Sequence, residues 1–488
     1  MSDTDGGVKL PDPSSLRKRA GEFLLAVGTE AVDTVTALLS LIIIGRVYGQ
    51  EGLGVYSFLL AVYLIISYLS ESGVGKYLER EIALGGQGVL PHPALVTDAH
   101  RAVTLTGFLG STVVILFGAW HSAKIGMSQG VGPYIFLAAA VYLNTFNTLI
   151  SSILHGSGKH EIASQLALRK RLIFLGAVFF LSLIRMSVPY LVLAFFFTEI
   201  SVARRGKKQV ALPWFKSPVG HLNQTVTAIN AGIKDYFTDE ALRVVFFLDF
   251  LVLGFFVSAV DLGIYSEASV LARLFMIVPV GAAPLFRVKF FELASSGDDS
   301  ALAAESGQTA QKMFFYHSLA GLYFLLYYPY VLRLVFPHDT YDQVSFGIFA
   351  VLLPGLLYYS AASVLEPVYA AKGRSDRIGK IAIRTFGFNA LLNVYLVPYA
   401  GYYGAAAATT ICLVVYFLYF GSGLEPVFRL PVMHFLLAGG LVYLTYRFVI
   451  WTGAVPMIVV PTLPFALYAL FYLSGFFTDK GEEERTMH

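Results

Sequence analysis

The chain has a single cysteine among its 488 residues, Cys412, and that residue sits inside an apolar run. An internal disulfide framework and a cysteine-built metal cluster are therefore excluded. Charge is scarce too. Asp, Glu, Lys and Arg supply 14% of the residues against 56% hydrophobic ones, and the mean hydropathy is +0.66, which excludes an ordinary water-soluble globule. The first 20 residues are polar, and the first apolar stretch is too long and lacks a small-residue cleavage site, so no cleavable leader is expected. A nucleotide loop is missing as well. Gly156-Ser157-Gly158-Lys159-His160 has neither the spaced leading glycine nor a Ser or Thr after the lysine, and it follows an apolar helix instead of a strand. No nucleophile–base pair or metal-ligand cluster stands out, and the ten histidines lie mostly in loops. The chain reads as a non-enzyme without a bound cofactor, and no nucleic-acid partner is expected.

What the sequence does hold is about fourteen apolar stretches, nearly all long enough to cross a bilayer, since roughly twenty helical residues span the hydrocarbon core. The coarse spans are 22–47, 54–72, 102–120, 132–154, 170–186, 188–203, 226–257, 262–285, 312–336, 346–371, 379–398, 402–420, 431–449 and 454–476. The fifth and sixth are tightly joined at Met186 to Pro189. The gaps alternate in charge. One set carries Arg17, Lys18 and Arg19, then Lys159, Arg169, Lys170 and Arg171, then Arg204, Arg205, Lys207 and Lys208, then Arg287 and Lys289, and last Lys372, Arg374, Arg377 and Lys380. The opposite set holds only Arg46, Lys124, Arg185, Arg333 and Arg447. By the positive-inside rule the basic set is cytoplasmic, with an even helix count and both termini inside the cytoplasmic membrane.

The chain also echoes itself. Leu53-Gly54-Val55-Tyr56-Ser57, between the first and second spans, returns as Leu262-Gly263-Ile264-Tyr265-Ser266 between the seventh and eighth, 209 residues on. Gly158-Lys159 returns as Gly373-Arg374 after 215 residues. Such joins also recur by chance in apolar chains. Read as a duplication of six spans, an even number, they predict two halves in the same orientation, the arrangement in which substrate sits between two lobes. The expected fold class is an all-α polytopic membrane protein with about 14 transmembrane helices: two six-helix lobes related by a parallel pseudo-repeat plus two C-terminal helices. Its expected parts are a cytoplasmic tail (1–21), an N-lobe (22–203), a linker (204–225), a C-lobe (226–420), appended helices (421–476) and a second cytoplasmic tail (477–488).

Ionisable residues at membrane depth are costly and usually face a cavity or a partner. The first span carries Glu22, Glu30 and Asp33, the eighth Glu267 and Arg273, and the tenth Glu366 just before Pro367. The seventh carries Lys234, Asp235, Asp239, Glu240, Arg243 and Asp249. Lys234 to Arg243 read equally as a solvated helix end with local pairs such as Asp239 with Arg243. Asp249 and Arg273 lie within unbroken apolar sequence. Asp249, Asn389, Asn393 and Thr409 offer convergent oxygens for Na+, or a protonatable carboxylate for H+ coupling. Polar glue between packed helices explains the asparagines as well.

Gly45-Arg46-Val47-Tyr48-Gly49 followed by Gly52-Leu53-Gly54-Val55-Tyr56-Ser57 resembles the first-to-second helix join of the polysaccharide flippases. These form a family of the multidrug/oligosaccharidyl-lipid/polysaccharide exporter (MOP) superfamily. Asp249 with Leu262-Gly263-Ile264-Tyr265-Ser266 and Ala268 resembles that family's seventh-to-eighth join, and Leu392-Asn393 followed by Gly404-Ala405-Ala406 its eleventh-to-twelfth segment. The resemblance implies a V-shaped, two-lobe transporter moving polyprenyl-pyrophosphate-linked saccharides between leaflets by alternating access. It implies membrane lipids and a lipid-linked saccharide as partners, with a polysaccharide polymerase or glycosyltransferases alongside. Relatives that flip the peptidoglycan precursor tend to carry an arginine two residues after the alanine matched by Ala268. Here Val270 stands there and Arg273 follows three positions on, on the same helix face.

A diphosphate cargo needs guanidinium or ammonium groups. Arg273 is the first candidate, with Arg46 and Lys234 at opposite ends of the path, and Arg46 reads equally as an interfacial snorkel. Glu30, Asp33, Glu267 and Glu366 complete the expected cavity, and they would also suit a cationic cargo. The competing functions are an ion-coupled multidrug/cation antiporter and a non-transporting membrane scaffold.

Overall fold

A computed structural model describes residues 13–84, 93–125, 130–210, 226–230, 232, 241–336 and 342–421. Side chains are described within these stretches except at 13–31, 33–34, 93–94, 124–125, 241–243, 284–285, 322, 326, 342 and 375–376. The helices, in order, are α1 (Pro13–Glu71), α2 (Val74–Leu84), α3 (Pro93–Ile125), α4 (Gly132–Gly156), α5 (His160–Leu183) and α6 (Leu193–Gln209). They continue as α7 (Ala241–Phe256), α8 (Ala259–Leu274), α9 (Ile277–Ser295), α10 (Asp299–Val335), α11 (Asp342–Ala371) and α12 (Ser375–Gly421). Among the described residues every regular element is a helix. The expected thirteenth and fourteenth spans and the second tail lie outside the described residues.

Glycines set where the long helices bend. α1 carries two spans on one continuous helix, broken at Gly49, whose φ of 71° only glycine adopts freely. α12 does the same at Gly401, with φ 52°. The 21 residues of α12 between Gly401 and Gly421 rise about 30 Å, enough for one crossing. Two expected spans are not single straight helices. The eighth is divided into α8 and α9, bent by 45°, and the ninth bends by 67° within α10, near Pro329. Proline removes an i→i−4 hydrogen bond and opens the helix at that place. The fifth and sixth spans meet through Arg185, at φ 51°, and a 3-10 turn, Val188–Val192, begun by Pro189. The amphipathic α2 escaped the hydropathy reading because it is short. It buries Val74, Leu78 and Ile82 at helical spacing.

The duplication is built into the contacts. Gly158 and Gly373 both have positive φ, 73° and 68°. Each is followed by a backbone N–H that reaches back five residues, Lys159 to the Leu154 carbonyl and Arg374 to the Tyr369 carbonyl, both at 2.8 Å. These are matching Schellman ends. The other echo lies on a pseudo-two-fold axis. A Cβ on Gly54 would strike the carbonyl oxygen of Ala259, and one on Gly263 would strike that of Gln50. Gln50 is offset from Ala259, and Gly54 from Gly263, by the same 209 residues that separate Ser57 from Ser266. Those two serines hydrogen-bond to each other at 2.7 Å. Each copy thus presents the same surface to the other, the mark of an isologous contact.

Helices α1 to α6 pack on one another, as do α7 to α12, and the two sets meet where α1 lies against α7, α8 and α9. They touch at the join end, through Gly54 and Gly263, and also at the basic end, where Gly232 lies against the Gly73–Val74 backbone. One buried apolar cluster runs across both sets, from Leu53 and Tyr56 to Leu262 and Tyr265. Large apolar side chains point outward instead, including Phe108, Leu116, Leu183 and Leu391, each more than 60% exposed. That inverted surface is what a bilayer solvates.

Candidate functional site: a buried carboxylate beside an aromatic-held arginine

Four residues singled out in the sequence as an ion site come together in the C-lobe. Asp249, about two turns from the end of α7, is 2% exposed. Its Oδ2 accepts hydrogen bonds from the Tyr265 hydroxyl and the Thr409 hydroxyl, both at 2.6 Å, and its Oδ1 from Asn393 Nδ2 at 2.8 Å. Asn389, one turn from Asn393 on α12, donates to Thr409 at 3.4 Å, and its Oδ1 accepts from Asn393 at 3.1 Å. The Oδ1 of Asn393 is buried without a hydrogen-bond partner. This gives one carboxylate and several neutral oxygens buried together, with one acceptor unmet. A small monovalent cation or a proton fits such a donor set. Tyr265 was seen in the sequence only as part of a repeated join.

Arg273 lies at the last turn of α8 and lies against the helix that carries Asp249. Its guanidinium sits 4.3 Å from the Phe247 ring centroid and 5.4 Å from that of Phe250, and Nη2 donates to the Phe246 carbonyl at 3.2 Å. Its Nε is buried with no acceptor, and it makes no ion pair among the described residues, although the Asp249 carboxylate acts on it electrostatically. Aromatic faces hold the cation without neutralising it, worth about 1–2 kcal/mol where water is scarce.

The remaining candidates are dispersed. Glu267 is buried and accepts from Gln50 Nε2 at 3.5 Å, across the lobe interface. Glu366 accepts from the Tyr416 hydroxyl at 3.4 Å within the C-lobe. Arg46 is exposed and caps the far lobe: its Nη2 donates to the Leu334 carbonyl at 2.5 Å and its Nε to that of Val335 at 3.1 Å. These are unsatisfied carbonyls at the end of α10, where a cation is favoured. Lys234 and the side chains of Glu30 and Asp33 lie outside the described residues.

A second polar network, in the N-lobe, was not anticipated. Glu199 is 1% exposed on α6 and accepts from Tyr63 Oη at 2.7 Å, Asn147 Nδ2 at 2.7 Å and Lys170 Nζ at 2.8 Å. Lys170 also donates to Asn144 Oδ1 at 2.8 Å, and Asn144 passes a donor on to Glu71 at 2.9 Å. The signal was present: Glu199 interrupts an apolar span, and Asn144, Asn147 and Thr148 line one face of α4. Lys170 counted only as a loop charge.

Solved structures supply the comparison. The structure titled "Lipid II flippase MurJ, inward closed conformation" superposes with a TM-score of 0.68 at 13% identity, covering 93% of this chain and 98% of that one. This is the fold of the MOP-superfamily transporters. An inward-facing multidrug resistance MATE family transporter of the MOP superfamily matches with a TM-score of 0.66 at 15% identity, over 81% of this chain and 95% of that one. A MOP superfamily transporter from Pyrococcus furiosus, described by a reversed polarity of its binding pocket, gives 0.51 at 13% identity over 84% and 96%. No protein-family model and no curated protein sequence matches the chain. At these identities the MOP fold is what is shared, and the residues must argue the function.

Proposed function

We propose that the chain is a flippase that carries a polyprenyl-diphosphate-linked oligosaccharide across the cytoplasmic membrane by alternating access, for surface polysaccharide assembly. The observation that carries this reading is Arg273. It is a guanidinium held inside the C-lobe by two phenylalanine rings with an N–H donor unmet and no carboxylate pairing with it among the described residues. Phosphate oxygens match its fork of donors. Asp249 with Tyr265, Asn389, Asn393 and Thr409 would hold the coupling ion, Na+ in preference to H+, because neutral oxygens outnumber the carboxylate. Binding there ties α7, α8 and α12 together, so its occupancy would bias the packing of the helix on which Arg273 rests. Both termini are placed in the cytoplasm by this reading.

A cation antiporter is the second reading, favoured by the buried carboxylates Glu199 and Glu267. The test is the lipid extract of cells lacking the gene, searched by mass spectrometry for diphosphate-linked oligosaccharides. One accumulating species, cleared by the wild-type gene but not by Arg273→Ala, supports the flippase. An unchanged lipid pool with new sensitivity to cationic drugs replaces it with the antiporter. Export that is indifferent to replacing sodium by potassium removes the sodium assignment.

A further inference from the structure

The start of α12 gathers positive charge away from the lobe interface. From Lys372 to Arg384 the sequence holds five cations and one acid, Asp376, a formal excess of +4. Lys372 is engaged with Asp299 at 3.3 Å. The other four, Arg374, Arg377, Lys380 and Arg384, line an open hollow of about 580 Å³ together with Ile381 and with Tyr419 from the other arm of the same helix. Arg377 rests 5.3 Å from the Tyr369 ring centroid. Among the described residues no carboxylate pairs with Arg374, Arg377 or Arg384. The three arginines gathered round this hollow lie close enough, on the scale of a Debye length of about 8–10 Å, to repel one another unless an anion lies between them.

The same helix face continues past the charges. Arg377, Lys380 and Arg384 are followed at helical spacing by Phe388, Leu391 and Tyr395. These three are 37%, 72% and 66% exposed. A basic hollow thus passes directly into an exposed apolar strip running along a membrane helix. That is the outline of an amphiphile with a phosphate head.

We propose that this face of α12 is a binding site for an anionic phospholipid, its phosphate in the basic hollow and its acyl chains along Phe388, Leu391 and Tyr395. The lining comes from α12 and the residue just before it, with nothing from α1 to α6, so the site lies apart from the surface where the lobes must part. The occupant is therefore a resident lipid of the leaflet that the basic end faces, and the inference does not rest on the flippase reading.

Native mass spectrometry of the full-length chain in detergent, titrated with phosphatidylglycerol or with phosphatidylcholine of the same acyl chains, tests it. Phosphatidylglycerol should bind at least tenfold more tightly. A juxtamembrane cation contributes about fivefold in affinity, so R374Q/R377Q/R384Q should bind it about 100-fold more weakly, and R384Q alone, the safer variant for folding, about fivefold. Equal binding of the two lipids, or unchanged affinity in R384Q, overturns the site. Competition by inorganic pyrophosphate at matched concentration overturns the role of the apolar strip. A co-purified lipid-linked diphosphate that R384Q releases, with phosphatidylglycerol binding unchanged, overturns the phospholipid in favour of the cargo.

Discussion

Lys170 and Glu199 form the most deeply set ion pair among the described residues, and their energetics can be separated by substitution. Glu199 is 1% exposed at its side chain, whereas Lys170 is 38% exposed. Lys170→Met leaves a buried carboxylate with only the neutral donors Tyr63 and Asn147. Removing one partner of a buried pair costs about 3–5 kcal/mol, and the partial exposure of the lysine places this case near the lower bound, about 3 kcal/mol. Glu199→Gln is milder. The freed ammonium reaches water and keeps Asn144, and the amide keeps part of the hydrogen bonding, so the loss is about 1 kcal/mol. With both changes no charge is left in the site, and the double variant should lose about 2 kcal/mol, less than Lys170→Met alone. The single buried cysteine provides the assay: a thiol-reactive fluorophore can label only Cys412, and only once the apolar core shared by both halves unfolds. The expected order of midpoints is wild type, Glu199→Gln, the double variant, then Lys170→Met. A double variant at or below Lys170→Met would refute the claim that the uncompensated carboxylate dominates.

Further outcomes are expected of the same protein. Sodium at 100 times its dissociation constant should stabilise the wild type by about 2.7 kcal/mol and should leave Asp249→Asn unmoved in the same labelling assay; an equal shift in both variants places the ion elsewhere. Gly54→Ala and Gly263→Ala should each destabilise by about 1–3 kcal/mol, because each new Cβ meets a backbone carbonyl of the other half. Gly176→Ala, in open space on α5, should instead be neutral or stabilising by up to about 1 kcal/mol. Arg273→Lys should export poorly despite keeping the charge, since a single ammonium lacks the planar fork that stacks on Phe247; export at the wild-type level removes geometry from the argument.

Sequence patterns carried much of this. Hydropathy located the first twelve spans on described helices, the seventh only over its second half, and the offset of 209 residues that suggested a duplication is the offset between the touching Ser57 and Ser266. Asp249, Asn389, Asn393 and Thr409 were recoverable because helical spacing puts the asparagines on one face and because polar residues in apolar runs are conspicuous. The bends were harder to see. Gly49 and Gly401 are two of 45 glycines, and nothing local marks which ones take positive φ. Arg46 reads in the sequence equally as an anion-path residue and as an interfacial snorkel, and what no local pattern reveals is that it donates to carbonyls at the end of α10, 288 and 289 residues away in the chain. The Glu199 network needed tertiary knowledge, since its donors come from α1, α4 and α5.

The pseudo-two-fold axis has a mechanical consequence. The proposed alternating access requires the two halves to part first at one end and then at the other, and the structure has them in contact at both. At the join end the contact on the axis is glycine against backbone and one serine pair, flanked by Gln50 on Glu267, Arg46 on the α10 carbonyls, and Phe58 and Phe117 against Phe255. Close approach of small residues gives good dispersion packing that is lost all at once when the surfaces separate, which suits a surface that must open and reclose. The Ser57 and Ser266 hydroxyls, 2.7 Å apart, put their Cβ atoms within reach of a disulfide. S57C/S266C should therefore crosslink under mild oxidation, and Cys412, buried on α12, offers no competing thiol at the surface. Transport by the oxidised protein should fall to background and return on reduction, whereas either single cysteine should leave it unchanged. Full transport by the crosslinked protein would mean that the halves do not separate at this axis, and that whatever cargo the chain carries passes by another route.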